Sequence, residues 1–205
     1  MLKSKKMKIL IIGGNGTIGR RVKERLQTNH EIIVAGKNSG DLKFNLENSS
    51  SIRELFEKIG PLDAIIAVAG DAKWDRLENL TEDDYYTGIR SKLMGQVNLV
   101  RIGKDYLNHG GSITLTSGIL ADEPEIMTTS AAMINGAIHS FVKAVNLELE
   151  TIRVNVVCSD VVEDSFEKYK NFFPGHRPVS MKKVVDAYVN CVEGTIRGEI
   201  IRIKA

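Results

Sequence analysis

Cysteine is scarce in this sequence. Cys158 and Cys191 are the two in 205 residues, and no C-x-x-C joins them. No redox or metal motif is therefore present, and no metal is expected. Both sit in apolar surroundings and read as buried free thiols. Long apolar runs are lacking too. None approaches the ~18 residues of a membrane span, so a membrane is not expected as a partner. An excess of one charge is missing as well. Lys+Arg number 28 against 26 Asp+Glu, a net charge of +2, too small to argue for nucleic acid or a membrane surface. The basic start Met1-Leu2-Lys3-Ser4-Lys5-Lys6 runs into a short strand and then glycine. That is not a signal-peptide core with a cleavage site. The expectation is a cytoplasmic chain whose residues 1–6 are flexible.

What is present fits one α/β domain spanning 1–205, long enough for a sizeable core, with ordinary apolar (42%) and charged (26%) shares. The chain is organised around Ile9-Leu10-Ile11-Ile12-Gly13-Gly14-Asn15-Gly16-Thr17-Ile18-Gly19-Arg20. Four apolar residues, mostly β-branched, read as a strand buried on both faces. A glycine turn follows, then helical spacing at Ile18, Val22 and Leu26. Strand, tight turn and helix form a dinucleotide-binding unit. The turn needs at least one φ > 0 position, which glycine supplies without steric cost. It must also admit a pyrophosphate to the backbone and aim the free N–H groups of the new helix at it. Gly14-x-Gly16-x-x-Gly19 and Gly13-x-x-Gly16-x-x-Gly19 both fit. Read alone, either motif is weak, and a plain strand-to-helix turn is the alternative.

Strand and helix signals alternate along the chain. Strands are expected at Glu31–Ala35, Leu42–Leu46, Asp63–Val68, Ser112–Ser117, Ile152–Val157 and Glu199–Ile203. Helices are expected from the Asn48–Ser51 caps to Ile59, from Thr81 to Tyr106 with a stop at Asn108–Gly111, after Pro124 to Glu150, and after a cap at Ser180. The pattern predicts a Rossmann-type, doubly wound parallel sheet of about seven strands in three α/β/α layers. Its ligand crevice should lie at the C-terminal strand ends beside the first strand.

A NAD site of this type wants an acid at the end of the second strand for the ribose 2′-OH. Here that place holds Gly36-Lys37-Asn38, and no acid appears before Asp41. Lys37 would attract a 2′-phosphate, with Asn38 or Ser39 adding hydrogen bonds. NADP(H) is expected over NAD(H).

These motifs resemble the short-chain dehydrogenase/reductase family, over nearly the whole chain. The turn Gly13, Asn15, Gly16, Thr17, Ile18, Gly19 matches its cofactor loop. Asn45-Leu46 stands where the family has Asp plus an apolar residue against the adenine. Ala67-Val68-Ala69-Gly70 keeps the Ala-Gly of its N-N-A-G segment. Ser112–Ser117 matches the strand ending in the family's catalytic serine, which maps to Ser117. Arg153-Val154-Asn155-Val156-Val157-Cys158 is similar to its R-V-N-x-V-x-P-G strand, with Ser159-Asp160 replacing P-G. The family's Tyr-x-x-x-Lys pair maps to Ala131 and Asn135, and no Tyr in the chain has a Lys four residues on. The family's catalytic asparagine maps to Lys92. The resemblance implies Ser117 as catalytic and Asn135 as a contact to the nicotinamide ribose, and it implies a homodimer or homotetramer built on the two long helices.

Alanine cannot transfer a proton, so carbonyl reduction would need another acid. Lys92, with its pKa lowered beside a nicotinamide, is the first candidate, and a solvated helix lysine or a phosphate contact is the alternative. His139 reads as packing or surface. His176 falls where a substrate lid would lie, in the stretch Glu163–Val179. Two functions follow. One is an NADP(H)-dependent oxidoreductase acting on a small carbonyl or alcohol through a non-standard site. The other is a non-catalytic NADP(H)-binding or redox-sensing module that signals to a protein partner.

Overall fold

Alternation along the first strand sets the layering. In β1 (Lys8–Ile12), Ile9 and Ile11 enter one core cluster, and Leu10 and Ile12 enter another on the opposite face. Successive side chains of a strand point to opposite faces, so an unbroken apolar run demands cover on both. Each of these four residues is at most 1% exposed, and full burial of such a side chain contributes about 1.5–3 kcal/mol. The computed structural model describes residues 6–205. The start expected to be flexible therefore lies, Lys6 apart, outside the described residues.

The strands are β1, β2 (Glu31–Gly36), β3 (Leu42–Lys43), β4 (Leu62–Ala67), β5 (Leu107–Gly118), β6 (Arg153–Ser159) and β7 (Ile200–Ile203). They form one sheet in the order β3-β2-β1-β4-β5-β6-β7, every pair parallel. The helices are α1 (Thr17–Leu26), α2 (Ser49–Ile59), α3 (Glu82–Gly88), α4 (Gly95–Gly103), α5 (Thr129–Glu148), the short α6 (Phe166–Tyr169) and α7 (Met181–Glu193). Helices α1 and α7 supply Val22, Leu26, Val184, Tyr188 and Val192 to one core. Helices α2, α4 and α5 supply Ile52, Phe56, Leu99, Ile134 and Ile138 to the other. The result is the three-layer, doubly wound α/β sheet read from the sequence, with its crevice where strand order turns from β1 to β4.

Boundaries differ where local chemistry overrides pattern. The third strand ends at Lys43, because only Ala35 and Gly36 of β2 remain to pair with it. Asn108–Gly111, expected to end a helix, lies inside β5, where Gly110 (φ +80°) and a register shift against Leu62/Ala64 absorb the irregularity. The helix expected right after Pro124 starts at Thr129, since Thr128 Oγ1 instead closes a turn on Glu125. Ser180 precedes α7 but makes no side-chain cap, and the carboxylate of Glu163 takes the Met181 N–H at 2.9 Å. Thr81 does cap α3, in a reciprocal box with Asp84.

The helix expected over 81–106 is interrupted. Ile89–Met94 winds as one π-type stretch between α3 and α4, and the segment finishes in a 3₁₀ turn at Lys104–Tyr106. Gln96, fully buried, braces this stretch. Its amide nitrogen donates to the carbonyls of Lys92 (3.1 Å) and Thr116 (2.9 Å), and its amide oxygen accepts from Thr116 N (2.7 Å). The wide turn is thereby pinned to the end of β5.

Candidate functional site

Three adjoining cavities line the C-terminal ends of the central strands. The first, about 320 Å³, is walled by Gly13, Asn15, Gly16, Gly36, Lys37, Asn38, Ser39, Phe44, Asn45, Leu46, Glu47, Ala69, Gly70 and Asp71, among others. The second, about 290 Å³, lies over Gly16, Thr17, Ile18, Gly19, Ala69, Gly70 and Lys92. The third, about 230 Å³, is bounded by Ile18, Trp74, Lys92, Ser117, Gly118, Asn135, Asp160, Tyr169 and Phe173 with apolar neighbours. Gly16, Ala69 and Gly70 are shared by the first two, and Ile18, Lys92 and Tyr169 by the last two. All fifteen site residues read from the sequence line this one groove.

The glycine turn is built as the sequence requires. Gly13 takes φ +77°, and a Cβ on Gly19 would stand 2.2 Å from the Gly13 carbonyl oxygen, so only glycine lets α1 start this close to the turn. Helix α1 begins with Gly16 as N-cap, without a side-chain cap and with no acid in its first turn. Its N–H groups and the positive end of its dipole thus face the middle cavity uncompensated. At the outer end, Asp41 turns back to accept from Val34 N (2.8 Å), leaving Lys37, Asn38 and Ser39 on the wall. Glu47 and Asp71 are the acids of that wall.

A dinucleotide fits this groove on two further grounds. Its three joined cavities offer an outer end, a middle at the bare N-terminus of α1 and an inner end. Also, Asn135 Oδ1 is buried at the inner cavity with no hydrogen-bond partner among the described residues. An orphaned buried acceptor is costly, and a ribose hydroxyl or carboxamide N–H would satisfy it.

Lys92 stands at the junction of the two inner cavities. The π-type turn presents it there, a geometry that recurs at functional sites. Ser91 Oγ accepts from Asp71 N (2.9 Å), and Lys92 packs on Gly70 so closely that a Cβ would lie 2.6 Å from its Cα. Lys92 keeps partial exposure to the groove, and no carboxylate pairs with it among the described residues. Its packed surroundings pull the ammonium from 10.5 down to about 8, against weaker opposing charge effects of Cys158 and Asp71.

Ser117, next to last in β5, is almost fully buried, with Oγ 2.7 Å from His139 Nε2. His139 is therefore neither surface nor plain packing, as the sequence reading had it. It bonds the site's serine. Burial holds its imidazole below the usual histidine value. Residues 131, 135 and 139 recur every four residues on α5, so one helix face carries all three toward the end of β5. That spacing is the signal that could have found His139.

The segment from Glu163 lines one wall of the inner cavity with Ser165, Tyr169 and Phe173. Tyr169, Phe172 and Phe173 gather around Trp74 with ring centroids 5.1–5.9 Å away. His176 clasps both flanks, with Nδ1 2.8 Å from Asp160 and Nε2 3.3 Å from Glu125. Burial lowers its pKa, but the two carboxylates outweigh this and hold it above the usual value.

A family model described as enoyl-(acyl carrier protein) reductase matches residues 17–184. The chain belongs to the short-chain dehydrogenase/reductase family. It is 26% identical over 179 residues, covering 73% of this chain and 71% of the relative, to the short-chain dehydrogenase/reductase ATR9 of Stachybotrys chlorohalonatus. Among solved structures, the protein lin1944 from Listeria innocua superposes with a TM-score of 0.93 at 43% identity, covering 96% of this chain and 98% of that one. A small-chain dehydrogenase in complex with NADPH superposes at 0.88 and 25% identity, covering 98% and 97%. Within this dehydrogenase/reductase frame, Ala131 is buried against Ile119, Leu120, Cys158, Val161 and Phe173. Apolar side chains fill the space around it.

Proposed function

We propose that this chain is an NADP(H)-dependent reductase of a small, apolar, flat carbonyl compound, working through Ser117 and Lys92 rather than a tyrosine–lysine pair. The observation that carries the reading is Lys92. It is an amine of lowered pKa, without a carboxylate partner among the described residues, at the point where the nucleotide groove meets an aromatic-walled cavity. The NADPH-bound small-chain dehydrogenase adds support for the cofactor.

Lys37, Asn38 and Ser39 would hold the 2′-phosphate, with Asn45 and Leu46 against the adenine. The α1 N-terminus with Gly13, Asn15, Gly16, Thr17, Ile18 and Gly19 would take the pyrophosphate. Ala69, Gly70 and Asn135 would seat the nicotinamide half. When bound, the cofactor supplies the hydride. Ser117 donates a hydrogen bond to the carbonyl oxygen, and Lys92 gives that oxygen its proton as negative charge develops there, then recovers one from solvent. A pKa near 8 suits this, because the amine is charged at neutral pH yet parts with its proton readily. Trp74, Tyr169 and Phe173 shape the cavity for a flat apolar body and exclude water.

The test is NADPH oxidation over a panel of small aryl and alkyl aldehydes, ketones and quinones. Turnover with an apolar member, lost in Lys92→Met, supports the reading. Tight NADPH binding with no turnover across the panel contradicts it and leaves the non-catalytic sensing module.

A further inference from the structure

Ser117 is not alone at the end of β5. Its bond to His139 can run in two directions, with opposite consequences. If the serine hydroxyl donates to the imidazole, only lone pairs face the cavity, and a carbonyl oxygen finds no donor there. If Nε2–H donates to the serine, the hydroxyl hydrogen is free to point into the cavity.

The groups around the ring decide between them. Asp122 is the carboxylate whose charge acts on His139, but Arg202 already holds both its oxygens, from Nε at 2.7 Å and Nη2 at 3.1 Å. Among the described residues no acceptor bonds Nδ1, so nothing draws the ring proton to that side. Arg202 and Lys143 both oppose a second proton on the ring. Cys158 faces Ser117 across the β5–β6 register, and burial pushes its thiol up to about 11. It stays a neutral thiol, whose sulfur is a hydrogen-bond neighbour of the serine but only a weak acceptor, weaker than a carbonyl oxygen entering the cavity. The single proton of the neutral ring therefore belongs on Nε2, facing Ser117.

We propose that His139 is a positioning residue: it donates Nε2–H to Ser117 Oγ and so turns the serine hydroxyl into the cavity as a hydrogen-bond donor. The use of that donor by a carbonyl rests on the reductase reading above, whereas the direction of the bond does not.

Two measurements test this on the full-length protein. In the first, ¹⁵N NMR of the imidazole in the cofactor-free protein should show His139 protonated at Nε2, with that preference weakened in Ser117→Ala. A proton at Nδ1 overturns the proposal. The second is a double-mutant cycle on reduction. Ser117→Ala and His139→Leu should each cost roughly 10²-fold in kcat, as loss of one directed donor does. The double variant should be no slower than Ser117→Ala alone. His139→Gln, which keeps a donor at that place, should recover most of the loss. Additive losses, or no rescue by Gln in a protein that folds, overturn the proposal. If wild type consumes no NADPH at all, the reductase reading fails, and the imidazole spectrum still decides the direction of the bond.

Discussion

The chemistry condenses onto Lys92. Replacing it with Met keeps the stem and removes the acid, so kcat for reduction should fall by about 10²-fold or more, with NADPH affinity changed far less. Its lowered pKa fixes the sign of the pH dependence. In the proposed reaction the ammonium is the acid, so kcat should fall as pH rises through about 8, and the limb should vanish in Lys92→Met. A pH–rate profile of both proteins checks this, and a flat wild-type profile through that range would remove Lys92 from the role. At this scale the sequence was informative about which residues gather and silent about how. Ser117 stands at a strand end, whereas Lys92 and Asn135 came from the resemblance to the family. The Ser117–His139 bond was not legible, because 22 positions separate them and only the packing of α5 on β5 closes that gap.

Two elements carry the site, the π-type turn and the lid. The turn left no mark in Ile89–Met94, since it depends on Gln96 catching the Lys92 and Thr116 carbonyls across a tertiary contact. Gln96→Leu should therefore keep the fold's secondary structure yet strip two buried carbonyls of a donor. A loss of about 2–5 kcal/mol in chemical denaturation is expected, with reduction impaired beyond that of a stability-matched core variant. The lid has its own pH signature. His176 has a raised folded-state pKa, so its stabilising clasp is complete below the ordinary histidine value near 6.5. It is lost as pH rises through the folded value, when the neutral ring can donate to only one of Asp160 and Glu125. Trp74, the sole tryptophan, sits in the lid cluster and reports on it. Its emission should titrate at a pH above about 6.5 and stop doing so in His176→Gln. The stretch Glu163–Val179 was legible as the place of a lid, but its partner Trp74 comes from the loop after β4 and no spacing announced it.

For the whole molecule, the parallel sheet and its layering followed from patterns that are local and strong: apolar runs on both-face-buried strands, caps at Asn48 and Thr81, glycine after β1. Ends were less legible, as at Asn108–Gly111 and Ser180, where a bulge or a distant carboxylate replaced the usual local signal. The same crevice geometry links fold to stability. NADPH at 100 times its Kd should add about 2.7 kcal/mol, raising Tm by about 5–11 °C for a chain of this size. Gly19→Ala should abolish most of that shift, because its Cβ would meet the Gly13 carbonyl and deform the turn.

The central claim, a groove built for NADP(H) through Lys37, is tested most directly by calorimetric titration of wild type and Lys37→Ala with NADPH and NADH. A charge-assisted bond to phosphate contributes about 1.5–3 kcal/mol. Wild type should therefore bind NADPH at least roughly tenfold more tightly than NADH, and Lys37→Ala should erase most of that preference. Equal affinities in wild type, or no binding of either dinucleotide, would contradict the account.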